Sequence, residues 1–151
     1  MVLCIISVLF FNFVGYKTNK RLTKNQIVHI WTFTIILLTW ADIYIDEKTE
    51  GYWYFNKGIE WRNFIVYLLL IPPVNVIFLN WYPFKASKLK VFRYFVYWII
   101  FITAYELLAL LPEPWGFFHY GWWNVGYSII CDPFLLLILL TYYKWICKIE
   151  K

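Results

Sequence analysis

Apolar residues along this chain form five long stretches separated by short polar breaks. They run over residues 2–16, 26–45, 63–81, 92–111 and 123–143. Each stretch is continuously apolar and does not alternate, which excludes the strands of a membrane β-barrel. A helix needs about 20 residues to cross the hydrocarbon core of a bilayer, and the last four stretches reach that length. The pattern predicts an all-α integral membrane protein, with a bundle of five transmembrane helices forming a single domain, 1–151.

The first stretch, residues 2–16, is shorter than the other four. A short span is accommodated by local thinning of the bilayer, or it belongs to a chain whose start lies upstream. The alternative is a cleaved signal peptide, which needs a basic segment at its start and a small-residue cleavage site. Neither feature precedes Lys17. We therefore interpret residues 2–16 as a span.

The composition also indicates a lipid environment. Hydrophobic residues make up 62% of the chain and charged residues 15%, against about 45–50% and about 25% in soluble domains. A domain of 151 residues has too little interior to bury that much apolar surface. Lipid must therefore cover the surplus, so the bilayer is the first expected partner.

Basic residues concentrate in the loops on one side of the predicted bundle. They are Lys17, Lys20, Arg21, Lys24, Lys85, Lys88, Lys90, Arg93, Lys144, Lys148 and Lys151. The other side carries Lys48, Lys57 and Arg62. Positive loops stay in the cytoplasm, so the N-terminus is predicted outside and the C-terminus inside. Anionic headgroups are sufficient partners for these short clusters, and nucleic acid is not expected as a partner.

The cysteines and histidines do not predict a metal site or a cofactor. Cys4, Cys131 and Cys147 are scattered and odd in number, without the spacing of a disulfide framework or a zinc site. We interpret them as buried or lipid-facing thiols. The alternative for Cys147 is acylation, because it lies among juxtamembrane lysines.

Acidic residues mark the outer half of the predicted bundle. Asp42, Glu106 and Asp132 lie within spans, where ionisable groups are costly and usually face the bundle interior. Asn124, Ser128 and Asp132 recur at four-residue intervals, so they share one face of the fifth helix. These polar faces predict a pocket that opens outward between spans two, three, four and five.

Prolines shape the same region. Pro72-Pro73 removes two backbone donors from the third span, which predicts a kink with Asn75 close to the freed carbonyls. Asp132-Pro133 resembles an N-cap followed by proline at the first helical position. One interpretation is a broken fifth span with a half-helix N-terminus inside the membrane. The alternative is a simple proline kink in which Asp132 is hydrogen-bonded to a neighbour.

The fourth loop adds a histidine to this region. His119 is interpreted either as a proton-exchange partner of Glu106 or Glu113 near neutral pH, or as a hydrogen-bonded structural residue of an aromatic loop. The predicted polar pocket is lined by Asp42, Asn75, Glu106, His119, Asn124, Ser128 and Asp132. No catalytic residue is assigned among them.

Three classes of function use this pocket. The first is an accessory, assembly or sensing protein that binds a small ligand or cation, alone, as a homo-oligomer or with a partner membrane protein. The second is a subunit of an oligomeric cation- or proton-linked transporter or channel, since five spans without an inverted repeat disfavour a complete transporter in one chain. The third is an intramembrane enzyme acting on a lipid or isoprenoid through Glu106 and Asp132. The absence of a GxSxG motif disfavours a serine hydrolase, and the first class is preferred.

Several short motifs follow one another between about residue 36 and residue 130. They are Trp40-Ala41-Asp42-Ile43-Tyr44, Tyr52-Trp53-Tyr54-Phe55, Lys57-Gly58-Ile59-Glu60, Pro72-Pro73, Asn80-Trp81-Tyr82-Pro83, Tyr105-Glu106 and Gly121-Trp122. In this order the chain resembles an uncharacterised family of small multi-pass membrane proteins of Bacillus- and Clostridium-type bacteria. The resemblance implies a bacterial cytoplasmic membrane. It supplies no mechanism and no catalytic residue.

Overall fold

The computed structural model describes residues 1–58 and 60–150, so Ile59 of one quoted motif and Lys151 of the basic tail lie outside the described residues. The chain is mostly helical, at 72%. Its elements are α1 (Val2–Thr18), α2 (Lys24–Glu47), β1 (Tyr52–Tyr54), α3 (Asn63–Trp81), α4 (Lys88–Ala109), β2 (Phe118–Tyr120) and α5 (Val125–Ile149). Helices α2 to α5 are long and apolar enough to cross a membrane, and α1 is a shorter apolar helix. The prediction of a mainly helical chain with helices able to span a membrane is thus confirmed, while the count of five spans and the orientation stay predictions.

The helix starts follow from polar residues in the sequence. Before α2, the Thr23 hydroxyl accepts from the Gln26 N–H (3.1 Å) while the Gln26 side chain accepts from the Thr23 N–H (3.2 Å). This capping box satisfies two donors at the helix start. Before α5, the Asn124 side chain accepts from the Gly126 N–H at 2.9 Å, an N-cap of the ordinary kind.

Helix α3 is the central element of the bundle. It packs against α1, α2 and α5, and the buried Phe78 ring lies 5.4 Å from Tyr94 and 5.4 Å from Trp98 of α4. In the most apolar 18-residue segment of α3, half of the residues are buried. In the corresponding segment of α4, 6% of the residues are buried. About half of the residues of α4 are exposed and most of the others are only partly buried, so α4 leaves a large apolar surface for another apolar phase to cover.

The proline pair in α3 has its missing hydrogen bonds replaced by neighbouring helices. Pro72-Pro73 has no N–H groups, so the carbonyls four residues upstream lose their helical partners. The Trp31 indole N–H of α2 donates to the Leu68 carbonyl at 2.8 Å. The Asn12 side chain of α1 donates to the Leu69 carbonyl, also at 2.8 Å. Helices α1, α2 and α3 are therefore joined where two backbone carbonyls of α3 lack a hydrogen-bond donor within the helix.

The structure differs from two of the expectations about the prolines. Asn75 does not serve the freed carbonyls, since its amide donates to the Thr34 hydroxyl of α2 at 2.9 Å. Helix α5 continues through Pro133 without a break, so the described chain contains no half-helix terminus at this point. Of the two interpretations of Asp132-Pro133, the broken span is wrong, and the alternative holds only for the unbroken helix, since Oδ2 of Asp132 is buried without a hydrogen-bond partner among the described residues.

Two short strands join the loops at one end of the bundle. β1, between α2 and α3, pairs antiparallel with β2, between α4 and α5, in the register Tyr52↔Tyr120, Trp53↔His119 and Tyr54↔Phe118. We call this the sheet end. The opposite end, which holds residues 19–23, residues 82–87 and the last turns of α5, is called the basic end because most Lys and Arg residues lie there.

Candidate functional site

The two-stranded sheet presents different side chains to its two faces. Successive residues of a strand point to opposite sides, and register partners share a side. One face holds Tyr52, Tyr54, Phe118 and Tyr120, whose rings contact one another at centroid distances of 5.3–5.9 Å. The other face holds Trp53 stacked on His119 at 5.9 Å. The first face lies against the ends of the helices.

Tyr52 reaches a buried carboxylate on α2. Its hydroxyl donates to Oδ1 of Asp42 at 2.6 Å, and Tyr67 of α3 lies beside the same carboxylate. Burial raises the pKa of Tyr52 well above its ordinary value, so its hydroxyl keeps its proton and acts as a donor. Asp42 is 4% exposed. Near this end of α2, the Asp42 carboxylate is therefore enclosed by the side chains of Tyr52 and Tyr67.

A second carboxylate lies one turn further along α2. Asp46 is also 4% exposed, and it occupies the π-helical turn Ile43–Glu47 that ends the helix. Oδ2 of Asp42 and Oδ2 of Asp46 are both buried without a hydrogen-bond partner among the residues that the structure describes. The predicted pocket lining omits Asp46, although its four-residue spacing from Asp42 was a usable signal.

Tyr120 reaches a carboxylate on α4. Its hydroxyl donates to Oε1 of Glu106, and the Ser128 hydroxyl of α5 donates to the same oxygen at 2.6 Å. The Trp123 indole N–H in turn donates to the Ser128 oxygen at 2.9 Å. Burial, together with its bond to Glu106, raises the pKa of Tyr120. Asp132 lies one turn beyond Ser128, with a buried Oδ2 that lacks a partner within the described chain.

The two carboxylate sites are neighbours. The Trp123 ring, which serves Ser128, stands edge-on to the Tyr52 ring at 5.7 Å. Tyr52 and Tyr120 are also register partners in the sheet. One pair of opposed tyrosines therefore supplies a hydroxyl to Asp42 on one side and to Glu106 on the other. The sequence does not reveal this arrangement, because the two tyrosines are far apart along the chain.

The structure gathers only part of the predicted pocket. Asp42, Glu106, Ser128 and Asp132 belong to the two neighbouring carboxylate sites described above. The other three predicted residues lie elsewhere: His119 faces away from the bundle against Trp53, Asn124 caps α5 and Asn75 bonds Thr34. Tyr52, Tyr120 and Trp123, which supply the hydrogen bonds, were not predicted to line the site.

No cation is paired with these carboxylates in residues 1–58 and 60–150. The ion pairs at the sheet end involve other acids: the exposed pair Lys57 with Glu50 at 2.7 Å, and the half-buried pair Arg62 with Glu60 at 2.7 Å. Across the same residues, no group of three His, Cys, Asp or Glu side chains is arranged to hold a metal ion. What this site can do chemically is accept protons or a small cation that needs few ligands.

Comparisons with known proteins do not add to this picture. No protein-family model, no curated protein and no solved structure matches the chain. The resemblance to a bacterial membrane family therefore stays a prediction, and function is argued from the geometry of the site.

Proposed function

We propose that the chain is a five-span protein of the bacterial cytoplasmic membrane, with the sheet end outside and the basic end in the cytoplasm. The distribution of Lys and Arg between the two ends supports this orientation. The backbone N–H of Val2 donates to the Pro114 carbonyl at 3.0 Å, which holds the start of α1 at the sheet end. With 17 residues, α1 is about 26 Å long, so it spans with modest thinning of the bilayer.

The function that the geometry supports best is an accessory or sensing role in which the sheet end binds protons or a small cation. One observation carries it: Asp46 and Asp132 each keep a buried carboxylate oxygen without a partner in the described chain. Burying an anionic carboxylate without compensation costs several kcal/mol. A bound proton or small cation supplies that compensation, so occupancy of the site follows the conditions at the sheet end.

The rest of the bundle favours binding over passage. Between the two ends, the central helix contributes Val76, Ile77, Phe78 and Leu79, all at most 3% exposed. These side chains fill the half of the bundle nearer the basic end with apolar groups. A proton or cation bound at the sheet end therefore meets an apolar barrier towards the basic end, which supports a sensor more than a transporter.

The sheet gives such binding a means of changing the surface. An ionised carboxylate only accepts hydrogen bonds, whereas a protonated carboxyl also donates one. Loading the site therefore alters the bonds that Tyr52 and Tyr120 make with Asp42 and Glu106. Because both tyrosines belong to the sheet, its position changes with occupancy. A partner membrane protein that contacts the sheet, or a second copy of the chain, then detects the change.

The test is infrared spectroscopy of the purified protein in lipid nanodiscs, recorded between about pH 5 and pH 8. The carbonyl band of a protonated carboxylic acid reports directly on proton occupancy. We expect this band to weaken in Asp46→Asn and Asp132→Asn and to be unchanged in Glu113→Gln. Glu113 is the control because it is an exposed acid in a loop of the sheet end.

A small cation is the other occupant, and the same sample tests it. Adding sodium or methylammonium should shift the carboxylate bands of the wild type and leave those of Asp46→Asn unchanged. A folded protein that shows neither a protonated carboxyl nor a cation-sensitive carboxylate would refute the proposed binding role. Failure to reconstitute into nanodiscs would instead contradict the proposed placement across the membrane.

A further inference from the structure

The basic end contains an open cavity of about 680 Å³. This volume lies within the usual range of ligand pockets, about 300–1,000 Å³. Its wall carries four cationic residues, Arg21, Lys85, Lys90 and Lys144. They come from three separate parts of the chain, the α1–α2 loop, the segment around the start of α4, and the last turns of α5. The fold therefore concentrates positive charge on one concave surface.

No acidic residue lines this cavity within the part of the chain that the structure describes. Of the nine acidic residues, Glu150 is the one at the basic end of the described chain. Its carboxylate is already bound, since it accepts from the amides of Asn25 and Gln26 at 2.5 Å each. No described residue therefore neutralises the cations of the cavity, and an anion from outside the chain is their natural partner.

Arg21 is held in place for such a ligand. One guanidinium nitrogen donates to the Tyr82 carbonyl at 2.5 Å, and the group lies over the Phe84 ring at 4.7 Å. The backbone N–H of Arg21 is also bonded to the side chain of Asn80 at 3.2 Å. A fixed guanidinium loses little conformational freedom when it binds a phosphate.

The start of α4 adds to the attraction for an anion. The helix begins at Lys88, between the lining residues Ala86 and Lys90, and its N-cap Ser87 makes no side-chain cap hydrogen bond. The first backbone N–H groups of a helix have no partner within the helix, and the helix dipole is positive at this end. These groups favour negative charge beside the lysines.

We propose that this cavity binds the phosphate of an anionic phospholipid. Besides its cations, the wall carries the apolar rings of Phe84 and Tyr143 and the side chain of Pro83. These suit the glycerol and acyl part of a lipid, which a soluble phosphate compound lacks. Basic pockets between helix ends on one side of a membrane bind such headgroups. The inference rests on the chain lying in a membrane, and it requires neither the proposed orientation nor the carboxylate site.

The experiment compares two double variants of equal charge in nanodiscs of phosphatidylcholine containing a small fraction of phosphatidylglycerol. Lys85→Gln with Lys144→Gln removes two cations from the cavity wall. Lys24→Gln with Lys148→Gln removes two exposed cations from the same end that do not line the cavity. Native mass spectrometry of the protein released from the nanodiscs counts the bound phosphatidylglycerol at each lipid fraction.

We expect the wild type and the control variant to retain phosphatidylglycerol alike. The cavity variant should bind it roughly fivefold more weakly for each lysine removed, the usual contribution of one cation near an anionic surface. Equal weakening in both double variants would overturn the proposal, because it would reflect general surface charge. The absence of any preference for phosphatidylglycerol over phosphatidylcholine in the wild type would also overturn it.

Two further arms identify the source of the phosphate. Glycerol 3-phosphate and inorganic phosphate are added in solution to protein in pure phosphatidylcholine. We expect neither to bind in the concentration range where phosphatidylglycerol does, because neither uses the apolar part of the wall. Binding of either compound with an affinity similar to that of the lipid would overturn the assignment to a phospholipid.

Discussion

The two ends of the bundle handle charge in opposite ways. At the sheet end, carboxylates are buried and receive hydrogen bonds from neutral donors, as Asp42 does from Tyr52 and Glu106 does from Ser128. At the basic end, Lys85, Lys90 and Lys144 are exposed around an open cavity. The sheet end encloses part of its carboxylates within the protein, whereas the basic end leaves its lysines to the surroundings.

This difference follows from what joins the helices at each end. At the sheet end, β1 and β2 cover the ends of the helices, and they can do so because the two strands hydrogen-bond each other's backbone N–H and C=O groups. The basic end is joined instead by single side chains. Asn80 accepts from the N–H groups of Lys20 and Arg21 at 3.0 and 3.2 Å and donates to the Thr18 carbonyl at 2.7 Å. A sheet closes an end, whereas a polar side chain that binds a loop leaves space beside it.

The largest effect is expected from Gly121→Ala, which breaks the sheet end. A Cβ at this position would stand 1.9 Å from the Glu50 carbonyl oxygen. The backbone is held at this distance because the Gly121 N–H donates to the neighbouring Gly51 carbonyl at 2.8 Å. Because backbone on both sides would have to move, we expect a loss of about 3 kcal/mol in the free energy of unfolding. Denaturant titration in detergent micelles measures it.

The control for this substitution is Gly15→Ala in α1. There the added Cβ would meet Ile77 at 3.7 Å, an ordinary contact. Alanine also favours the helix by up to about 1 kcal/mol over glycine. If Gly121→Ala proved no more destabilising than Gly15→Ala, the sheet would not be what closes this end of the bundle.

An intermediate effect is expected from Asn80→Ala, which loosens the basic end. The substitution removes three hydrogen bonds to backbone groups of residues 18–21, and we expect a loss of about 2–3 kcal/mol. Asn75→Ala is the matched comparison on the same helix, since it removes one bond, to Thr34, and should cost about 1 kcal/mol. Thermal unfolding of both variants gives the ranking, and equal losses would show that Asn80 does not hold the loop.

The smallest effect is expected at the exposed ion pair of the sheet end. The hydrogen bond and charge of Lys57 lower the pKa of Glu50, so Lys57→Gln should raise that pKa towards its ordinary value. A carboxyl with a lower pKa in the folded protein adds stability above its unfolded pKa and loses it as the pH falls through the folded pKa. For a pair this exposed, stability should barely change.

Titration of carboxyl carbons by NMR measures this shift. Glu60 is the internal control, because its pKa is lowered by Arg62 and Asn56 and should not respond to Lys57→Gln. A Glu50 pKa that stayed low in the variant would show that Lys57 is not its cause.

The helices were largely predictable from the sequence, because the apolar stretches are long and end at polar residues or proline. The predicted range 63–81 is the range of α3 itself, as Tyr82-Pro83 ends the helix. The limits are less accurate where lysines extend a helix into water. α4 begins at Lys88 instead of residue 92, and α5 continues to Ile149 past residue 143. Hydropathy alone does not predict these polar helical turns, although lysine is a good helix former.

The site was only half predictable. The cost of burying a carboxylate identifies Asp42, Glu106 and Asp132 from the sequence alone. Their hydrogen-bond donors could not be found in the same way. Tyr52 and Tyr120 occupy strands of three residues each, which are too short for an alternating pattern to be recognised, and their register is a long-range property of the fold.

The replaced hydrogen bonds at Pro72-Pro73 have a consequence for how the protein is made. An unsatisfied carbonyl exposed to lipid costs several kcal/mol, so α3 is a poor membrane helix by itself. Its two missing donors come from Asn12 and Trp31, and α1 and α2 precede α3 in the chain. During synthesis from the N-terminus, both donors have therefore left the ribosome before the helix that needs them. In the proposed five-span placement, the order of the helices is also a workable order of insertion, because α3 completes its backbone against two helices that enter the bilayer before it.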